Sequence, residues 1–194
     1  MCISNVMSHA GNRHPADGQH AEQTPLGWSF TAMAEAVQRL AKAEAANLAQ
    51  ALAAVSEAVW WVTVTDAALA RSSPHAYDHM LATLDPASRR ATMNTLAGLR
   101  FIRNQAGYPA DPADFIRPRP GTGNTDDLPP AAWTWHPAPH TAGAVPRQGK
   151  KARDPSLYRE YRAQLAGQPV TQSISEAAAF LAQVHECAHE PWPG

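Results

Sequence analysis

The stretch from Ser29 to Arg71 runs for 43 residues without a glycine or a proline. A segment of that length with nothing to interrupt regular structure, dominated by alanine and leucine, favours the α-helix on intrinsic propensity. It predicts one very long helix, or two joined near Asn47. In its first half Val37, Leu40, Ala41, Glu44 and Leu48 fall near one face while Glu35, Arg39 and Lys42 lie mostly off it, the pattern of a helix with one side in a core. The second half is apolar nearly all round, which predicts a central, buried helix with Trp60 and Trp61 in the core. Its run Val59 to Thr65 (VWWVTVT) is also rich in strand formers, and the alanine-rich flanks decide for helix.

Turn residues divide the rest of the chain. Ser72-Ser73-Pro74 marks a break before a short helix around Ala76 to Leu84. Asp85-Pro86 opens the best-marked helix, with Asp as N-cap and Pro in the first turn, running to about Ala106 ahead of Gly107 and Pro109. Asp154-Pro155 repeats that start for a helix to about Ala166, stopped by Gly167 and Pro169. Ser173 and Glu176 have the spacing of a capping box and predict a last helix from Ile174 to about His189. Residues 109–146 hold nine of the seventeen prolines, so 109–153 reads as an irregular excursion within one domain, with Trp133 and Trp135 in a short extended piece pinned on the bundle. The expectation is an all-α bundle of four to six helices over residues 27–194, behind a disordered tail at 1–26 whose polar composition cannot offset the cost of ordering it.

Composition narrows the function classes. With a net charge of -1, the field of the whole molecule neither steers toward nucleic acid nor repels it, so any such role rests on a local patch. Thirteen arginines against three lysines and an abundance of alanine fit a GC-rich coding genome, as in many bacteria. Cys2 and Cys187 sit at opposite ends and supply no disulfide framework, which fits a reducing cytoplasm. The N-terminus has no apolar core of a secretory signal. The most apolar stretch, Ala58 to Ala70, is shorter than the roughly 20 residues of a bilayer span and contains Asp66, so no membrane span is expected. A P-loop, a nucleophile elbow and a Gly-rich dinucleotide turn are all absent from the sequence, which argues against nucleotide-hydrolysing and Rossmann chemistry.

Two constellations carry chemistry. The end of the Asp85 helix reads GLRFIRNQAGY, placing Arg100 and Arg103 one turn apart, followed by Asn104 and then Tyr108. Arginines in a last turn complement the carbonyl end of the helix dipole, which is the structural reading. The functional reading is a phosphate contact, since guanidinium forks match phosphate geometry. An arginine, a polar residue and, a few residues on, a histidine at the end of a bundle helix resembles the motif of the HEPN superfamily, small helical proteins that often dimerise and include metal-independent ribonucleases. Arg103 and Asn104 match its first two positions, and Tyr108 stands where the histidine would be. A tyrosine with an ordinary pKa near 10 is a poor general base, so the resemblance implies RNA or nucleotide-phosphate binding, with weak cleavage or none, no cofactor, and a possible homodimer.

The second constellation is HECAH, His185 to His189. In zinc hydrolases two His at this spacing point from one helical face at a metal while the Glu takes a proton from the metal-bound water. Here His185 and His189 would be ligands and Glu186 the base. Only five residues follow, none of them His or Asp, so a third ligand would come from upstream, for instance His136 or His140. His75 with His79 repeats the spacing, so it is cheap in this chain.

Smaller signals complete the reading. Asp66, and Glu57 on a roughly overlapping face, need partners if buried, and Arg100 or Arg103 would serve. Tyr158, Arg159, Tyr161 and Arg162, after Lys150, Lys151 and Arg153, interleave basic and aromatic residues as nucleic-acid surfaces do. The leading expectation is a HEPN-like binder of RNA or nucleotide using Arg100, Arg103, Asn104 and Tyr108. The alternatives are a zinc hydrolase at HECAH and a protein-binding bundle with Trp133 and Trp135 as its exposed contact.

Overall fold

The computed structural model describes residues 24–43, 48–106, 114–118, 133–137 and 155–189. Among them are six helices and one small sheet: α1 Pro25–Lys42, α2 Leu48–Ser72, α3 Pro74–Thr83, α4 Pro86–Ala106, β1 Ile116–Pro118, β2 Trp133–Trp135, α5 Pro155–Gln164 and α6 Val170–His189. The all-α bundle is as expected. Four of the helices begin on a proline, where the missing N–H costs nothing and the fixed φ suits the first turn.

The long proline-free stretch is two helices. α1 starts at Pro25, four residues ahead of the expected Ser29, because Thr24 caps it: the Thr24 hydroxyl accepts from the Gly27 N–H at 3.2 Å. The tail boundary placed at residue 26 therefore falls inside α1. Arg39 reaches from α1 to Glu57 on α2 with two hydrogen bonds, Nε to Oε2 at 3.0 Å and Nη2 to Oε1 at 2.7 Å, so Glu57 serves α1 and not the arginines of α4. α2 is long and apolar enough to cross a membrane by length and composition alone. In this fold its buried face, including Val55, Val59, Val62 and Leu69, packs into the common core with α1, α4 and α6.

α4 has the bounds that Asp85-Pro86 implied. The Asp85 carboxylate accepts from Ala87 N at 2.9 Å and Ser88 N at 3.1 Å, and its hydrogen bonds from Ser88 and Ala87 hold its pKa below the usual carboxylate value. Arg89 turns back from α4 onto α3, donating to the carbonyls of Leu81 at 2.7 Å and Ala82 at 3.1 Å, so it satisfies a helix end that has no basic residue of its own.

The α5–α6 turn corrects the expected helix start at Ile174. α6 begins at Val170, and Ser173 lies inside it with its hydroxyl bonded back to the Pro169 carbonyl at 3.0 Å, so Ser173 and Glu176 do not form a capping box. Gly167, at φ 80°, turns the chain between the two helices and donates its N–H to the Trp135 carbonyl at 2.9 Å. β2 is thereby pinned between this turn and β1, with Ile116 opposite Trp135 and Pro118 opposite Trp133. Trp133 and Trp135 are 8% and 0% exposed. They are anchors, as the expected extended piece pinned on the bundle requires, and the alternative in which they form an exposed protein contact is corrected, because both rings are buried.

Candidate functional site

Asp66 has no exposed surface, and both carboxylate oxygens are occupied. Tyr77 of α3 donates its hydroxyl to Oδ1 at 2.6 Å. Arg100 of α4 donates to Oδ2 from Nε at 2.7 Å and lies 2.5 Å away through Nη2. Three helices are thus tied at one buried acid, which is the partner role the sequence offered to Arg100. Burial, and then the adjacent Asp66 charge, push the Tyr77 hydroxyl well above the ordinary tyrosine range, so it remains a donor. The Arg100 side chain is still 43% exposed, so its anchored guanidinium reaches the surface.

One turn further along α4, Arg103 takes a different partner. Its guanidinium carbon lies 4.4 Å from the ring centroid of Trp60 on α2, a cation–π stack. Trp60 is 49% exposed, so the expectation that it belongs to the core is corrected; α2 presents this side to solvent while its opposite side packs. Trp61 is half-buried against the core. Arg103 enters no ion pair among the described residues, and Asn104 is exposed beside it. Pairing of Asp66 with Arg100 and of Trp60 with Arg103 runs α2 and α4 antiparallel, with both guanidinium groups along one seam. Tyr108 lies outside the described residues.

At the end of α6, His185 and His189 are brought together, with ring centroids 4.4 Å apart and rings perpendicular. His185 also lies flat on Phe30 of α1, centroids 4.1 Å apart and planes 22° from parallel, with its Nδ1 buried and without a hydrogen-bond partner. Burial, and then the charge of His189, hold its pKa below the ordinary histidine value. Glu186 is exposed. Among the described residues no group of three His, Cys, Asp or Glu side chains is placed to hold a metal. His136 instead lends its backbone to the hairpin, its N–H donating to Phe115 at 2.7 Å and its carbonyl accepting from Tyr161 at 2.5 Å. His140 lies outside the described residues. His185, packed on the Phe30 ring, is part of the α1–α6 contact, and among the described residues the His185–His189 pair has no third donor of the kind a hydrolytic zinc requires.

Sequence reasoning missed Trp60 as part of the Arg103 site. The signal available was its position among residues spaced for an outward stripe, with Ser56 before it and Ala67 and Arg71 after. Comparison with family models, with curated proteins and with solved structures finds no match for the chain.

Proposed function

We propose that this protein binds RNA or nucleotide phosphate along the α2–α4 seam in a HEPN-like manner, with weak cleavage or none. The observation that carries the reading is Arg103 stacked on the exposed ring of Trp60. A guanidinium held by its face keeps its N–H edge for a phosphate, and a half-exposed indole beside it offers a surface on which a base can stack. Arg100 contributes a second guanidinium whose position is set in advance by Asp66, so less conformational entropy is lost when it meets a ligand. α4 carries four arginines and no acidic residue, which leaves no like charge on that helix to repel an anion.

The test is fluorescence anisotropy of a labelled single-stranded RNA with the wild-type protein, R103A and W60A, with R71A as an exposed control and circular dichroism to verify helicity. Loss of one stacked contact should weaken binding by about tenfold, as expected for roughly 1.4 kcal/mol. Wild-type affinity in both R103A and W60A would remove the reading.

A further inference from the structure

The near-neutral total charge conceals a strong division along the chain. Residues 86–110 hold four arginines and no acid, and residues 147–162 hold six basic residues against two acidic ones. Residues 1–85 hold four basic residues against eight acidic, and residues 163–194 hold three acids and no lysine or arginine. The fold puts α4 and α5, from the two basic segments, side by side. Gly98 of α4 lies so close to α5 that a Cβ there would come within 3.2 Å of the Tyr161 Cα, and Phe101 packs on Tyr158 and Tyr161 with centroids 5.4 Å from each.

Helix geometry shows what lies between the two contacts of α4. At about 100° per residue, Gly98 and Phe101 define the side toward α5, while Arg103 lies on the side toward α2. Arg90, Met93, Ala97, Arg100 and Asn104 fall on the arc between them, and all are exposed or half-exposed. Arg90 stands about 15 Å nearer the start of α4 than Arg100, so at the level of Arg103 the surface runs from Trp60 over Ala97, Arg100 and Asn104 to α5. There Tyr158 and Arg162 stand one turn apart on one face. With Arg159 and Ala163 they line a shallow hollow of about 390 Å³. Arg162 is in no ion pair among the described residues, and Arg159 meets only Glu160, at 3.5 Å on the same helix.

From this juxtaposition we infer that the ligand is a single-stranded RNA of several nucleotides, whose path leaves Trp60, crosses the outer face of α4 and reaches Arg159 and Arg162 of α5. The inference rests on the binding reading above and adds the class and length of the ligand. A mononucleotide would use the Trp60 end alone, and a rigid duplex would leave the aromatic rings without an unstacked base. A flexible strand matches a basic track with a ring near each end.

The experiment uses the full chain and labelled RNAs of about four and about twelve nucleotides, a duplex of the longer sequence, and a polyglutamate peptide of similar charge. The expected result is that the longer strand binds at least tenfold tighter than the shorter one and tighter than the duplex or the peptide. In R159A/R162A the longer strand should fall toward the affinity of the shorter, whose own binding stays unchanged, and the slope of log affinity against log salt should shrink by about one to two. An unchanged length advantage in R159A/R162A would overturn the inference while leaving the Trp60 site intact. Equal binding of the duplex or of polyglutamate would also overturn it. Loss of binding by every RNA, in the wild type, would instead remove the underlying reading.

Discussion

Arg100 donates from Nε to Oδ2 of Asp66 at 2.7 Å, and the two residues differ sharply in their access to water. The Arg100 side chain is 43% exposed and the Asp66 side chain is fully buried. Removing either partner therefore has unequal consequences. R100M leaves a carboxylate in the core with only Tyr77 to satisfy it, and should cost about 3 kcal/mol. D66N leaves a guanidinium that can turn to solvent and an amide that still hydrogen-bonds, and should cost only about 1 to 2 kcal/mol. Urea unfolding of both variants checks the order, and equal or reversed costs would contradict this account of the pair.

Tyr77 completes the same network from α3. Y77F removes one hydrogen bond to a buried charged acceptor and should cost about 1.5 to 3 kcal/mol. In a double-mutant cycle with D66N the two effects should be far from additive, because each removes part of a shared network. Additive losses would mean that the hydroxyl and the carboxylate act separately.

His185 gives the fold a predictable pH dependence. Its folded pKa is depressed below the ordinary 6.5, so between the two values the unfolded chain binds more protons than the native one. The stability contribution is fully present above about pH 6.5 and is lost as pH falls through the folded pKa. Urea midpoints measured from neutral to mildly acidic pH should fall, and H185F, which keeps a ring on Phe30, should show a shallower slope over that window. An equal slope in H185F would assign the pH dependence to other groups.

Gly98 is required by packing. A Cβ would lie 2.7 Å from Leu165 Cδ1 and 3.2 Å from the Tyr161 Cα, and the backbone contact cannot be relieved by a rotamer change. G98A gains about 1 kcal/mol of helix propensity, yet forcing α4 from α5 should cost about 1 to 3 kcal/mol, so a net loss is expected. A thermal melt decides it, and a stabilised G98A would show that the helices have room to separate.

Local chemistry made much of the fold legible. Asp85-Pro86 set the start of α4, because a cap acts within a few residues. The same logic misplaced α6, where a box-like Ser173 and Glu176 lay downstream of the true start after Pro169; the Ser173 hydroxyl took a helix carbonyl instead of capping. Trp60 left the core environment expected of it for a related reason, whereas Trp133 is pinned on the bundle as expected. Apolarity tells that a ring prefers burial, while which side of α2 meets α4 or α6 depends on residues 30 or more positions away. The candidate site was half visible. A buried Asp66 demands a cation, which narrowed its partner to Arg100 or Arg103 in advance, whereas no spacing rule relates Arg103 to Trp60.

The most direct measurement is photocrosslinking of a thiouridine-containing single-stranded RNA to the wild-type protein, followed by peptide mapping by mass spectrometry. If the seam is the binding surface, adducts should map to α2 around Trp60 and to the end of α4 around Arg103, and W60A should lose those on α2. Adducts confined to α1, α3 or α6, or none above those of a denatured control, would contradict it.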